Sequence, residues 1–322
     1  MGRKSFGAVA VRWLLLVVAT SATPSLSQEY PNKPIRFLTG GVGSTTDFAA
    51  RLIAQALSGP IGQPVIVDNR PPGPIPIMIV VQAPADGYTL LLYAGGLWIA
   101  PLIDKVPYDA LKDFAPVSIT GRQPNMIVVH PSLPVNSVKE LIALAKASPG
   151  DLSFSRGGTG GSSHLAGELF KVLAEVKIVD IPYTSGAAEI ADLLGGRVKI
   201  TFGTATEMMQ HVKTGKLRAL AVASAQPSPL VPGVPTVVAS GLPGYVSIAY
   251  TGLLAPVGTP AQTISRLNQQ VVRVLHSPEV REKFLNAGVE AVGSSPEEFA
   301  DTIKSEISKW SKVIKDAGIA RK

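Results

Sequence analysis

The feature that most constrains the fold is a junction used repeatedly: an apolar strand runs into a glycine- or hydroxyl-rich turn, and the turn runs straight into an amphipathic helix. Its first instance is Ile35-Arg-Phe-Leu-Thr39, followed by Gly40-Gly41-Val42-Gly43-Ser44-Thr45-Thr46-Asp47 and a helix whose inward face reads Ala49, Leu52, Ile53, Ala56 and Leu57. That is the i, i+3, i+4, i+7, i+8 spacing of one helix face. The first N–H groups of such a helix have no partner inside it, and glycines let a ligand approach the backbone, so an anion is the natural occupant. The turn carries no lysine or arginine. It offers an anion site built without a side-chain cation.

Three further turns share this design. Strand 152–155 meets Arg156-Gly157-Gly158-Thr159-Gly160-Gly161-Ser162-Ser163-His164, with Leu165, Leu169, Val172 and Leu173 expected on the inward face of the next helix. Ile181-Pro182-Tyr183-Thr184-Ser185-Gly186-Ala187-Ala188 opens a short helix, and strand 198–202 leads through Gly203 to the capping box Thr204-Ala-Thr-Glu207. Other strands are expected at 64–68, 88–93, 125–130 and 247–254, the second of these ending at Ala94-Gly95-Gly96. Ser137–Glu140, Thr259–Gln262 and Ser295–Glu298 are expected to cap helices. Asn69-Arg-Pro-Pro-Gly-Pro-Ile-Pro76 reads as a stiff turn that no helix can run through. Alternating strands and helices argue for α/β lobes with largely parallel sheets, whose ligands sit outside the strand ends.

A chain of 322 residues has room for two domains, and 46% hydrophobic against 16% charged residues excludes disorder. Arg3, Lys4 and Arg12 precede the apolar run Trp13–Ala19, and Ser25-Leu-Ser27 follows. This is the layout of a secretory signal peptide over residues 1–27, so a soluble, periplasmic protein cleaved near Ser27 is expected. Removing the leader's three basic residues leaves 27 Lys+Arg against 23 Asp+Glu, or +4. With no basic stripe or recognition module, nucleic acid is not an expected partner. The absence of cysteine excludes a disulfide framework, a thiol nucleophile and thiolate metal sites.

Individual residues leave alternatives open. Asp47 either supports its helix N-terminus or meets an ammonium on the ligand. Gly41-x-Gly43-x-x-Thr46 with Asp68 imitates a dinucleotide fingerprint, with Thr where the third glycine belongs. His164 and Glu168, at i, i+4, read as a hydrogen-bonded pair, and Arg156 as a partner of a ligand carboxylate or of solvent. No nucleophile elbow or P-loop is present, and no cofactor or metal is called for.

Many collinear segments are similar to one family. Tyr30-Pro-x-x-Pro34, Gly43-Ser-Thr-Thr-Asp47, Gly62-Gln-Pro-Val65, Asp68-Asn-Arg-Pro71, Asp86-Gly-Tyr-Thr-Leu90, Lys112-Asp-Phe-Ala-Pro-Val-Ser118, Ser163-His-Leu-Ala-Gly-Glu-Leu-Phe170, Asp192-Leu-Leu-Gly-Gly196 and Gly241-Leu-Pro-Gly-Tyr245 resemble the Bug-type receptors, the extracytoplasmic solute-binding proteins of tripartite tricarboxylate transporters. The resemblance implies a two-lobed Venus flytrap of the type II periplasmic fold, without catalysis. Lobe 1 would comprise 28–123 and 252–322, and lobe 2 would be 124–251. It implies a mono-, di- or tricarboxylate or amino acid held by Thr39–Asp47 (Thr39, Gly40, Gly41, Val42, Gly43, Ser44, Thr45, Thr46, Asp47), by Gly157, Gly158, Thr159, Gly160, Ser162, Ser163 and His164, and by Tyr183, Thr184, Ser185, Ala187, Ala188, Gly203 and Thr204. Its partners would be membrane transporter subunits or a sensor kinase, and the receptor would act as a monomer. Departures from the family pattern are Thr39–Val42 in place of a proline-phenylalanine-proline turn, a shortened Pro72–Val81 stretch, and Gly203 where an acid is common. The alternatives are an exported α/β enzyme or nucleotide-binding protein using the same cleft, or a receptor that has lost transport.

Overall fold

The computed structural model describes Gly2, residues 30–71 and residues 73–319. The rest of the expected leader lies outside the described residues. In chain order the elements are β1 (Ile35–Thr39), α1 (Thr45–Ile61), β2 (Val65–Asn69), α2 (Pro74–Val81), β3 (Thr89–Ala94), α3 (Gly96–Ile99), β4 (Phe114–Pro124) and β5 (Met126–Val129). Next come α4 (Val138–Ala147), β6 (Ser153–Arg156), α5 (Ser162–Ala174), β7 (Val179–Pro182), α6 (Gly186–Leu194), β8 (Ile200–Thr201), α7 (Ala205–Lys213) and β9 (Arg218–Val222). The chain finishes with β10 (Ile248–Pro256), α8 (Ala261–Leu275), α9 (Pro278–Asn286), β11 (Glu290–Ala291) and α10 (Pro296–Asp316).

The strands form two sheets, ordered β11-β4-β10-β3-β1-β2 and β7-β6-β8-β5-β9, each the centre of one α/β lobe. The expectation of largely parallel sheets is corrected. β1 pairs in parallel with β2 and β3, and β6 with β7 and β8, but β10 runs antiparallel to both β3 and β4, and β5 antiparallel to β8 and β9. The antiparallel members are those that return the chain toward or away from the junction of the sheets. Only Asn125 separates β4 in the first sheet from β5 in the second, and Ile248, the first residue of β10, pairs with Pro124.

Capping chemistry places most helix starts where the sequence puts them. Ser295 and Glu298, and Thr204 and Glu207, form reciprocal capping boxes. At α4, Ser137 accepts from the Glu140 amide, while Glu140 turns to the amide of Asn136 instead. Thr259 does not cap α8, because its hydroxyl donates to the Pro256 carbonyl and the helix begins after Pro260 without a side-chain cap. The proline-rich stretch also needs correction: α2 starts inside it, with Pro74 at the first helical position and Pro76 in the first turn. Those positions have no intrahelical acceptor for an N–H, so proline removes nothing there.

One apolar core lies between the first sheet and α1, α8 and α9, centred on Phe37, Ile53, Leu267 and Phe284. A second runs from the opposite face of that sheet into the other lobe, through Trp98, Phe154, Phe170 and Phe202. Helix α10 carries the seam: Phe299, Ile303, Trp310, Val313 and Ile314 are buried, and the helix packs on both β4 and α5. At about 1.5–3 kcal/mol for each fully buried large apolar side chain, this stripe is a strong tie between the lobes. In α5 the buried face includes Ala166, Gly167 and Phe170, whereas Leu173, expected inside, is exposed. Gly167 is required there, since a Cβ would lie 2.3 Å from the Phe154 ring.

Candidate functional site

The β1–α1 turn is held together by its own polar groups. Ser44 Oγ accepts from the Asp47 amide at 3.2 Å, and Asp47 Oδ2 accepts from the Gly43 amide at 2.8 Å. Asp47 Oδ1 accepts from Asn69 Nδ2 and pairs with Arg51 Nε, both at 2.8 Å, and Asn69 Nδ2 also donates to the Gly40 carbonyl. Burial would raise the Asp47 pKa, but the hydrogen bonds from Gly43 and Asn69 and the charge of Arg51 outweigh it and hold the carboxyl below the usual range. Both Asp47 oxygens are thus engaged within the lobe. Gly43 adopts φ 80°, which an L side chain rarely tolerates. Thr39 is fully buried and its hydroxyl has no hydrogen-bond partner, and Val42 projects outward, 78% exposed. The amides of Thr45 and Thr46 lie in the first turn of α1, where no intrahelical acceptor exists.

The β6–α5 turn repeats this arrangement. Ser163 Oγ accepts from the Gly157 amide, and His164 Nδ1 accepts from the Gly160 amide at 3.0 Å. His164 is 4% exposed, and burial, reinforced by the charge of Arg156, lowers its pKa to about 4. The imidazole is therefore neutral at pH 7, with Nδ1 as acceptor. Glu168 stands 3.9 Å from Nε2 and is bonded to Lys171 instead, so the expected His164–Glu168 hydrogen bond is not made. Arg156 pairs with Asp180 at 2.6 Å and donates to the Gly157 carbonyl, and its side chain is 13% exposed. Asp68, the imagined ribose acid, is bound by Arg36 and Arg70.

Asn125, fully buried between the sheets, ties the start of α5 and the segment leading to α7 to the crossing strands. Its Oδ1 accepts from Ser162 Oγ at 2.8 Å and Ser247 Oγ at 3.1 Å, and its Nδ2 donates to the Phe202 carbonyl at 2.7 Å. Across the junction, the Thr206 hydroxyl lies 2.7 Å from the Gly288 carbonyl and 2.9 Å from Gln123 Oε1.

Three adjoining hollows line the space between the lobes, and Ala94 borders all of them. One, of about 310 Å³, is bounded by Gly40, Gly41, Ser44, Thr45, Thr46 and Tyr93. A second, of about 170 Å³, has Thr45 on one side and Thr204, Thr206 and Glu207 on the other, with Tyr250 and Thr251 beneath. The third, of about 280 Å³, reaches under Gly95 and Gly96 to Gly160, Gly161 and Ser162. The structure thus brings together the mouths of α1, α5 and α7, and among the lining residues there is no lysine or arginine. A larger hollow of about 560 Å³, between α1, α8 and α9, lies on the outer face of its lobe and takes no residue from any strand-to-helix turn.

The other expected residues stand apart from these hollows. Gly157, Gly158, Thr159, Ser163 and His164 shape the β6–α5 turn without lining the three hollows, and buried Gly203 has its α-carbon against Met208, whose Cε would lie 2.9 Å from a Cβ there. Tyr183 donates its hydroxyl to Asp192, and Thr184, Ser185, Ala187 and Ala188 are exposed at the uncapped start of α6. The sequence reading missed Asn125, Gln123, Ala249 and Tyr250, which carry no local signature. It also left out the Ala94-Gly95-Gly96 turn, whose strand-then-glycine punctuation is visible in the sequence.

The family model described as "Tripartite tricarboxylate transporter family receptor" matches residues 49–319. Protein BugT of Bordetella pertussis is 34% identical over 316 residues, covering 96% of this chain and 97% of its own. Among solved structures, Rpa4515 of R. palustris with adipate is 36% identical, with TM-score 0.77 over 90% of this chain and 99% of that one. MatC of Rhodopseudomonas palustris with bound malate is 27% identical, with TM-score 0.73 over 88% and 100%. With a family match across most of its length and a relative this similar end to end, the chain belongs to the tripartite tricarboxylate transporter receptor family.

Proposed function

We propose that this protein is a periplasmic solute-binding receptor that captures a small carboxylate between its lobes and presents it to a tripartite tricarboxylate-type transporter. The observation that carries the reading is the convergence of three helix N-termini on a cleft whose described lining has hydroxyls and backbone amides but no cation. Such donors satisfy a carboxylate's lone pairs at modest desolvation, and helix dipoles favour its charge. The adipate and malate held by the two solved relatives are carboxylates of this size. A lobe division at 123/124 and 251/252 is supported by sheet membership to within a few residues, β10 entering the first sheet at Ile248 opposite Pro124. Ligand contacts from both lobes favour the closed state, so binding shifts the population toward it. On this reading the protein works without catalysis or cofactor and as a monomer, with transporter subunits or a sensor kinase as its membrane partner.

A thermal-shift screen of the mature protein, stripped of carried-over ligand by mild unfolding, tests this against carboxylates, amino acids and nicotinamide nucleotides. A ligand at 100 times its Kd stabilises the folded state by about 2.7 kcal/mol. A selective shift with carboxylates supports the receptor; a shift with nucleotides alone, or with nothing, refutes it. Export is tested by sequencing the N-terminus of the periplasmic protein, expected to begin near Gln28 and not at Met1.

A further inference from the structure

We infer that the preferred ligand is a monocarboxylate with an apolar body, and that this body occupies the hollow beneath the β3–α3 turn. The inference rests on the receptor reading and narrows its substrate class. The hollow measures about 280 Å³ and opens onto the space between the helix mouths, sharing Ala94, Ala249 and Tyr250 with the neighbouring hollow. Its walls are Trp98, Ile99, Leu165, Tyr250 and Trp310. An apolar cavity of about 150 Å³ takes benzene, so this one has room for a phenyl ring or a chain of several methylenes.

Its polar inventory argues against a second charge at the far end. The one ionisable acid in the lining is Glu306, whose Oε2 accepts from Trp310 Nε1 at 2.7 Å and whose Oε1 accepts from Lys309. That carboxylate is already bonded by its own helix, with Lys309 as its counter-charge, and the lining holds no further lysine or arginine to pair with a second ligand carboxylate. Ser162, which begins α5, borders the same hollow, so the ligand's one carboxylate stays at that helix mouth while its hydrocarbon lies against the rings. The glycines make the space. A Cβ on Gly95 would lie 3.2 Å from the Trp98 ring, so that ring packs directly over the turn, whereas a Cβ on Gly96 meets nothing within 4 Å. Gly96 is therefore a position where a side chain can enter without disturbing its neighbours.

The test is calorimetric titration of the stripped mature protein with butanoate, hexanoate, octanoate and 3-phenylpropanoate, alongside adipate and malate. Affinity for the straight-chain monocarboxylates is expected to rise by about fourfold per added methylene until the hollow is filled. In Gly96→Leu, the ratio of octanoate to butanoate affinity is expected to collapse toward one. The unmodified protein's chain-length series decides the matter by itself if that variant melts early. Adipate or malate bound more tightly than octanoate and 3-phenylpropanoate, with no gain along the monocarboxylate series, overturns the inference and leaves the receptor reading standing. Binding of no carboxylate at all overturns both.

Discussion

Replacing Asp47 with Asn separates two roles for the acid at the first helix mouth. The carboxylate accepts from the Gly43 amide, Asn69 Nδ2 and Arg51 Nε, all at 2.8 Å, and its side chain is 5% exposed. An asparagine has one acceptor oxygen, so whichever way its amide turns, an NH₂ faces a donor that the carboxylate satisfied. A hydrogen bond to a charged group contributes about 1.5–3 kcal/mol. Arg51 is 55% exposed and adds little. The expected loss is about 2–3 kcal/mol at pH 7, read as a lower midpoint in urea unfolding of the ligand-free protein. The pH dependence has a defined sign. Because the folded pKa is depressed, the stabilisation is complete above the unfolded value near 3.8 and is lost as pH falls through the folded value. The gap between parent and variant should therefore narrow below pH 4. If Asp47 instead served as counter-charge to a ligand ammonium, Asp47→Asn would leave the ligand-free midpoint unchanged and weaken amino acids alone, and that outcome would refute the loop-clamp reasoning.

Gly41→Leu should abolish the ligand-induced thermal shift with little change in the ligand-free melt, because a Cβ there meets nothing within 4 Å and Gly41 borders the cleft. Gly43→Ala, at φ 80°, should instead lower stability by about 1–2 kcal/mol in urea unfolding. NMR titration should place the His164 pKa at about 4; since this is below the unfolded value near 6.5, His164 contributes stability above pH 6.5 that is lost as pH falls toward 4. Asn125→Ala should cost about 2–3 kcal/mol in the same assay, because it leaves the buried Phe202 carbonyl without its side-chain donor and frees the Ser162 and Ser247 hydroxyls.

What the sequence made legible was local. Ser137, Thr204 and Ser295 reveal helix starts because an N-cap and its N3 partner are three residues apart and act without the rest of the fold. Strand β4 was not legible: Phe-Ala-Pro-Val-Ser-Ile-Thr-Gly-Arg-Gln-Pro contains two prolines and a glycine and becomes a strand by pairing along its whole length with β10, more than a hundred residues away. The same distance hides which turns meet. Four strand-to-helix mouths look alike in the sequence, yet sheet order brings those of α1, α5 and α7 to the hollows around Ala94 and leaves the start of α6 exposed. The proline-rich stretch misled for a third reason. Proline breaks a helix interior but is accommodated in a first turn, and only the backbone path from β2 reveals that Pro74 and Pro76 fall there.

Two of the ionisable groups that the sequence offered as ligand contacts, Asp47 and His164, share a structural fate. Asp47 accepts from the Gly43 amide four residues back, and His164 accepts from the Gly160 amide four residues back. In both turns the side chain on the first turn of the helix bonds the glycine that reverses the chain, and both glycines have positive φ, 80° and 75°. The paired clamps fix the turns before a ligand arrives, so the helix amides need little ordering when a carboxylate binds, and affinity is not reduced by loop entropy. They also remove charge from the contact surface, one group by ion-pairing with Arg51 and the other by staying neutral. On the function proposed above, a cleft so prepared would recognise a carboxylate by geometry and leave discrimination among carboxylates to the walls that receive the remainder of the molecule.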